Sequence, residues 1–507
     1  MLKKLIIAFF CPLLAFGALP TNSTVWELRT VGSDTNGGAF VTGASGTDMS
    51  QFDNKNAAAC VGCQSATVNI SATDAVANGT TTITSNTMNG SAAIVGNVIF
   101  LSGGTGTLSP GWYEVVTFVS NIAGTTTFTV DRNVAAGTGI TMNIGGALAT
   151  FQQMSTNVSL AAGSGAWVKA TASYDFSTTV DLLNGATNTG QAFINGYTTT
   201  RGDNGKPTLL ALAGLAGGNS YILRWNGSPE GSTLANFILD CDNRNFTRGF
   251  NYNTAQETLR NITVQNCSDQ AFVWNQIGAC YECTTINVPS ATAASSGFSA
   301  YLSNNVEVTC VNCSALGTTA AGGIAFQSMC QGLFVNTILA NFSGATTDAW
   351  TCTTQEGILT VLNASIYGFT RDAFRFAENV TNDLRPILIR NSVISNIGGF
   401  CFNSVGTLTF TQPNHSVDHN GCNTTGASGF YNNWGSGTND VTLSVNPFTN
   451  PAGNDFSLNS TAGGGAAVKG AGFPGIVSGG TGHMDMGALQ SAGGGGGGGT
   501  SGSVVFP

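Results

Sequence analysis

Asp348 and Asp372 are the acids best placed to do chemistry together. Each stands two residues before an aromatic side chain, Trp350 or Phe374, and they lie 24 residues apart. If that interval is one turn of a stacked repeat, their backbones come within about 4.8 Å. Two carboxylates about 5 Å apart suit retaining glycoside hydrolysis, one as acid and one as nucleophile. Asp is also a common turn former, so both could simply shape the bend before each aromatic. Asp269, three residues before Phe272, nearly extends that row. A second cluster gathers Asp240, Asp242, Arg244 and Arg248 within one short stretch. Its acids could bind Ca2+, its arginines could hold a uronate, or the four could form a solvated ion-pair group.

Cys60-x-x-Cys63, Cys280-x-x-Cys283 and Cys310-x-x-Cys313 have zinc-ligand spacing. The latter two fall in neighbouring repeats, where inward-facing thiols or disulfides are the stronger reading. Cys60 and Cys63 would close a small loop. No metal site is therefore assigned, and no cofactor is expected beyond the Ca2+ option. His415 and His419 lie near Asp418, with His483 further on, too few ligands for a metal centre. Arg201-Gly202-Asp203, followed by Asn204-Gly205, reads as a turn.

These residues must be held by a repeat. Small-plus-aromatic pairs recur at Gly249-Phe250, Ala271-Phe272, Gly297-Phe298, Ala325-Phe326, Ala349-Trp350, Ala373-Phe374, Gly399-Phe400 and Gly429-Phe430. An asparagine series keeps phase with them: Asn236, Asn261, Asn287, Asn312, Asn336, Asn363 and Asn391. Both recur at roughly 22 to 30 residues, within the range of stacked units. Apolar residues alternate around each Asn with the period of two that marks strands. Asn suits the bend because it tolerates left-handed backbone angles, and stacked Asn side chains can bond in a ladder. The pattern predicts an all-β chain, a right-handed single-stranded parallel β-helix. The expected organisation is an export signal over 1–18 and a β-rich region over 19–150. The β-helix follows over 151–450, then a terminal coil or cap over 451–490 and a glycine-rich tail over 491–507.

Composition agrees. Of 507 residues, 42% are hydrophobic, enough for a core, and only 8% are charged. The net charge of −9 comes without a basic stripe, which excludes nucleic acid as the expected partner. Lys3 and Lys4 precede the apolar run Leu5 to Phe16, with Ala18 as a small cleavage-site residue. No later segment is long and apolar enough to span a membrane. Signal removal would leave 12 of the 13 cysteines, and export permits disulfides.

The repeats resemble the pectate-lyase-like superfamily of right-handed β-helices over roughly Trp167 to Leu489. The closing segment resembles the last coil of uncharacterised bacterial and phage β-helix proteins, through Asp455, Leu458, Gly470, Asp485 and Gly487-Ala488. Trp26-Glu27-Leu28-Arg29, Gly32 to Gly38, Ile194-Asn195-Gly196-Tyr197 and Thr200 to Asp203 resemble phage structural proteins. The resemblance implies an extracellular or virion-associated β-helix, often trimeric, that contacts or cleaves polysaccharide. A surface protein that contacts a polysaccharide or cell-surface glycan without catalysis is the leading expectation. A polysaccharide lyase or glycosidase on the same scaffold is the alternative, and a purely structural fibre component the third. Thr, Ser, Asn and scattered aromatics on the exposed face would supply the sugar contacts.

Overall fold

The computed structural model describes residues 22–52, 71–106, 108, 110–157, 164–182, 192–215, 220–225, 231–244, 247–253, 257–288, 296–300, 306–317, 323–344, 346–352, 358–376, 386–405, 415–426, 428–473 and 484–489. The expected export signal, the glycine-rich tail, Cys60, Cys63 and His483 lie outside these residues. No described helix is long and apolar enough to cross a membrane. The chain divides into a unit ending at Ala166 and a unit beginning at Trp167.

The first unit is an antiparallel sheet that closes on itself. Ser71–Ala77 pairs with Thr82–Ser85, then the order runs Thr125–Val130, Gly111–Ile122, Val98–Ser102 and Gly137–Ile144. Gly137–Ile144 pairs back to Ser71–Ala77. Each of these six strands therefore has a partner on both sides, which protects their edges. The run Thr-Thr-Thr-Phe-Thr-Val at Thr125–Val130 shows why: alternate residues turn inward, and Phe128 and Val130 join Ile83, Ile99 and Met142 in the core. The Gly32 to Gly38 turn is tied down by Asp34, whose carboxylate accepts from Ala149 N, Thr150 N and Thr150 Oγ1 at 2.8–3.0 Å.

The second unit is a parallel β-solenoid of about seven turns, built from three ladders. The first stacks Gly278–Tyr281, Val308–Val311, Gly332–Val335, Leu359–Leu362, Ile387–Arg390 and His415–Asp418. The second stacks Thr284–Ile286, Ser314–Leu316, Ile338–Phe342, Ser365–Phe369, Val393–Ile397 and Gly421–Thr424. The third stacks Thr247–Tyr252, Gln270–Trp274, Ser296–Ala300, Ile324–Gln327, Trp350–Cys352, Phe374–Phe376 and Phe402–Ser404. Thr233–Asp240 and Glu257–Gln265 are continuous strands that bend from the first ladder into the second.

That bend is where the asparagines act. Asn236, Asn261, Asn312, Asn336, Asn363 and Asn391 all have φ between 52° and 63°, the left-handed region in which Asn is favoured among residues with a Cβ. Their amides relay between coils: Asn261 Nδ2 donates to Asn236 Oδ1 at 2.7 Å, Asn336 to Asn312 and Asn363 to Asn336 at 3.0 Å. Asn287 departs from the expected series. In its coil Glu282 takes the bend, with φ 57°. Asn287 instead joins a second left-handed column after the second ladder, donating to Asn266 Oδ1 at 2.7 Å.

The aromatic anchors fill the interior. Phe272, Phe298, Phe326, Trp350, Phe374 and Phe402 are fully buried, with successive ring centroids 4.7–5.6 Å apart. Two expected anchors are displaced. Phe374 pairs with Phe402, not Phe400, and Phe402 pairs with Tyr431, not Phe430. The cause at Phe400 is local: its N–H donates to Asp372 Oδ1 at 2.9 Å, and ladder pairing starts two residues later.

After Val441–Thr442 the chain folds back along the outside of the second ladder as a strap. Phe448, Phe456, Leu458, Val468 and Met486 pack over outward Ala340 and Val393. The closing-segment residues are its fasteners. Gly470 N donates to Asp485 Oδ1 at 2.7 Å, and Ala488 N donates to Ser365 Oγ at 2.9 Å. Gly487 adopts φ +100°, and a Cβ there would lie 3.0 Å from Ser365 Oγ.

Candidate functional site

Asp348 and Asp372 do fall on adjacent coils, at the bend where the third ladder begins. Both are buried, with side-chain exposures of 0% and 2%. Asp348 Oδ1 accepts from Arg371 Nε at 2.7 Å and from Asp372 N at 3.1 Å. Its Oδ2 accepts from Arg371 Nη2 and has Arg375 Nε at 4.0 Å. Asp372 Oδ1 accepts from Phe400 N at 2.9 Å. Its Oδ2 accepts from Asn403 Nδ2 at 2.6 Å and Arg375 Nη1 at 3.3 Å. Each carboxylate therefore joins its own coil to the next, and each backbone N–H it accepts would otherwise be a costly buried orphan. The hydrogen bonds from Arg371 to Asp348 hold that guanidinium above its ordinary pKa.

Arg371 and Arg375 are the residues that sequence reasoning missed. They partner the two acids and stay partly open, at 37% and 24% side-chain exposure. The signal was present in Arg371-Asp372-Ala373-Phe374-Arg375, two arginines around one acid in a chain with 17 basic Lys and Arg residues.

The other predicted cluster comes apart. Asp240 serves the amide column, accepting from Gln265 Nε2 at 2.7 Å, Asn266 Nδ2 at 2.9 Å and Asp242 N at 2.9 Å. Asp242 pairs with Arg244 at 2.7 Å at the surface. Arg248 turns away from both acids, donating to Asp269 Oδ2 at 2.6 Å and Tyr221 Oη at 2.8 Å. Burial opposes charge on Arg248, yet Tyr221 and Asp269 raise its pKa. The Asp240 carboxylate thus takes amide and backbone donors, and the Asp242 carboxylate takes Arg244. Asp203 of the Arg-Gly-Asp turn accepts from the N–H groups of Thr199, Thr200, Thr198 and Gly205 at 2.6–3.0 Å. Those bonds hold its carboxyl well below the usual range.

Among the described residues, Cys241–Cys267, Cys330–Cys352 and Cys401–Cys422 form disulfides between coils. Cys280, Cys283, Cys310 and Cys313 remain thiols and are buried together. Burial pushes the Cys280, Cys283 and Cys313 thiols up. Burial acts on Cys310 too, but hydrogen bonds from the Cys280 and Cys313 thiols bring it down. Among the described residues, metal-ligating distances bring together Cys280, Cys310 and Cys313 and no group containing His415, His419 or Asp418.

Along the outside of the third ladder one row is polar from coil to coil. Register aligns Ser299, Gln327, Thr351, Arg375, Asn403 and Asn432. Gln327, Arg375 and Asn432 are half-buried, and Thr351 and Asn403 are buried. The outward rows of the first ladder are mixed: Thr309, Leu333, Thr360, Leu388 and Ser416 align in one, and Val311, Val335, Leu362, Arg390 and Asp418 in the other. The second is covered by the strap. The aromatic side chains expected to face sugars are mostly core: among the described residues, Phe473, at 40%, is the exposed one.

No family model matches this sequence, and no curated protein matches it. Among solved structures, the catalytic domain of a GH87 alpha-1,3-glucanase in complex with nigerose aligns at 11% identity. That alignment covers 73% of this chain and 89% of that one, with a TM-score of 0.31. A substituted form of such a domain in complex with tetrasaccharides aligns at 10% identity over the same shares, with a TM-score of 0.30. Similarity this low assigns neither activity nor substrate to the chain.

Proposed function

We propose that the chain is an extracellular or virion-surface β-solenoid that holds a polysaccharide or cell-surface glycan against its third ladder without cutting it. The observation that carries this reading is the polar row from Gln327 to Asn432, in which half-buried Gln327, Arg375 and Asn432 alternate with buried Thr351 and Asn403. Amides and a guanidinium on alternate coils match the hydroxyls of an extended sugar chain. Asp348 and Asp372 are not free to act on a bound chain. Their oxygens are engaged by Arg371, Arg375, Asn403 and two backbone N–H groups. A catalytic acid must instead reach the scissile bond at hydrogen-bonding distance, about 2.6–3.2 Å.

Affinity electrophoresis of the full chain through gels containing neutral or acidic polysaccharides tests the reading. At least one polysaccharide should retard it. Gln327→Ala should weaken that retardation roughly 2- to 10-fold, the worth of one lost hydrogen bond, with thermal unfolding unchanged; Asn432→Ala should weaken it similarly, with a lower unfolding midpoint because Asn432 Nδ2 also donates to Asn403 Oδ1 at 2.9 Å. Retardation by none, or variants that bind like the unsubstituted chain, would overturn the proposal.

A further inference from the structure

The four thiols at the bend between the first and second ladders are built as one cluster. Cys280 and Cys310 are paired residues of adjacent coils. Thr284 pairs with Ser314, which sets Cys283 beside Cys313. Within each Cys-x-x-Cys the bend residue, Glu282 or Asn312, has φ 57° or 55°. That turn carries the chain round the corner between two inward-facing cysteines. The Sγ atoms of Cys280, Cys310 and Cys313 lie within 4.8 Å of one another, and Cys313 Sγ is 3.3 Å from Cys280 Sγ. Cys283, beside Cys313 in the ladder, lies outside that three-way group, with its Sγ donating to Tyr281 O at 3.5 Å; a rotation of its side chain would complete the set. All four are essentially without solvent exposure, at 0–1%.

Other coils fill these two positions differently. Leu259 and Ile262 precede the cluster, and Phe334 and Thr337 follow it. Two successive layers therefore replace ordinary packing with four sulfurs at one point. The coil-to-coil disulfides elsewhere are isolated pairs. Here each of the three closest sulfurs has two others within reach, an arrangement that two disulfides do not need and a tetrahedral ion does. A tetrahedral zinc site with Zn–S of about 2.3 Å requires S···S edges of about 3.8 Å, inside the observed span.

We propose that Cys280, Cys283, Cys310 and Cys313 form a closed structural site for one soft divalent ion, Zn2+ by preference, which clamps two adjacent coils together. On binding, four S–H protons leave to solvent and four thiolates coordinate the ion; no electron is transferred. The resulting site carries a net negative charge. Lys206, half-buried and hydrogen-bonded to Thr263 Oγ1 at 3.1 Å, lies within electrostatic reach of Cys283 to offset it. Four protein ligands and full burial leave no open coordination position, so the role is stability rather than catalysis.

The test uses the full chain. Metal analysis after purification without chelator should find one zinc per chain. Titration of metal-stripped, reduced protein with Co2+ should give a thiolate-to-cobalt charge-transfer band that saturates at one equivalent. The double substitution Cys310→Ser, Cys313→Ser should abolish that band. Cys401→Ser, at a disulfide in another coil, should leave it intact. Because the double variant could fail to fold, the Co2+ titration of the unsubstituted chain decides by itself. Absence of the band, or peptide mapping of unreduced protein that finds the four cysteines joined as disulfides, would overturn the proposal.

Discussion

Replacing Asp348 by Asn separates a structural acid from a catalytic one. Asn at this position keeps an oxygen for the Asp372 N–H, now at 3.1 Å, but loses the charge that receives both bonds from Arg371. Hydrogen bonds to a charged group contribute about 1.5–3 kcal/mol each, and breaking a fully buried ion pair costs about 3–5 kcal/mol. Arg371 is 37% exposed and can turn into water, so the expected loss is smaller, about 2–3 kcal/mol. The assay is urea unfolding followed by tryptophan fluorescence, to which Trp350, two residues from Asp348, contributes from within the same coil. The midpoint should fall by on the order of 1 M. Combining Asp348→Asn with Arg371→Gln should cost less than the two single changes added, because the partners share one interaction. An Asp348→Asn chain with an unshifted midpoint would refute the structural assignment of this acid.

Other perturbations address the scaffold. Phe298→Ala removes a buried ring stacked on Phe272 and edge-on to Phe326 and should cost about 3–5 kcal/mol, read as a lower unfolding midpoint; a shift under a fifth of that would contradict the role of the aromatic column. At Asn336, with φ 53° and amide bonds to both neighbouring coils, Ala should destabilise by about 1–2 kcal/mol more than Gly, which tolerates the left-handed backbone. Equal midpoints for the two variants would show that backbone geometry is not what selects Asn. Burial lowers the pKa of His415, so the folded state favours its neutral ring. The stability this preference contributes is present above the unfolded-state value of about 6.5 and is lost as pH falls through the lowered folded-state value. His415→Leu should therefore flatten the midpoint's dependence on pH below neutrality, and an unchanged slope would assign the effect elsewhere. Gly487→Val should loosen the strap, because the backbone has φ +100° and the new Cβ would crowd Ser365; limited proteolysis should cut within residues 443–489 sooner while the coils persist.

The solenoid was legible because its two strongest requirements are chemical as well as geometric. A left-handed corner selects Asn, and a narrow interior selects an aromatic on each coil, so both leave a periodic trace. The same logic explains where the reading slipped. Two left-handed columns with similar periods run along the helix, and Asn287 belongs to the second. At Phe400 and Phe430 the aromatic type recurs, but pairing is set by the backbone, and the Asp372 carboxylate holds the Phe400 N–H outside the ladder. Closure of the first unit leaves no such trace, since alternation within each strand reads alike in an open or closed sheet. The site was legible only as residue types. Proximity of Asp348 and Asp372 followed from the period, but their cover by Arg371 and Arg375 depends on side-chain direction at a bend, which spacing does not encode.

The most direct measurement is product release from whichever polysaccharide retards the full chain. Reducing ends and unsaturated products should stay at the level of the protein-free control through prolonged incubation, while binding persists. Steady product formation that disappears in folded Asp348→Asn or Asp372→Asn chains would contradict binding without cleavage and make the acid pair a catalytic one.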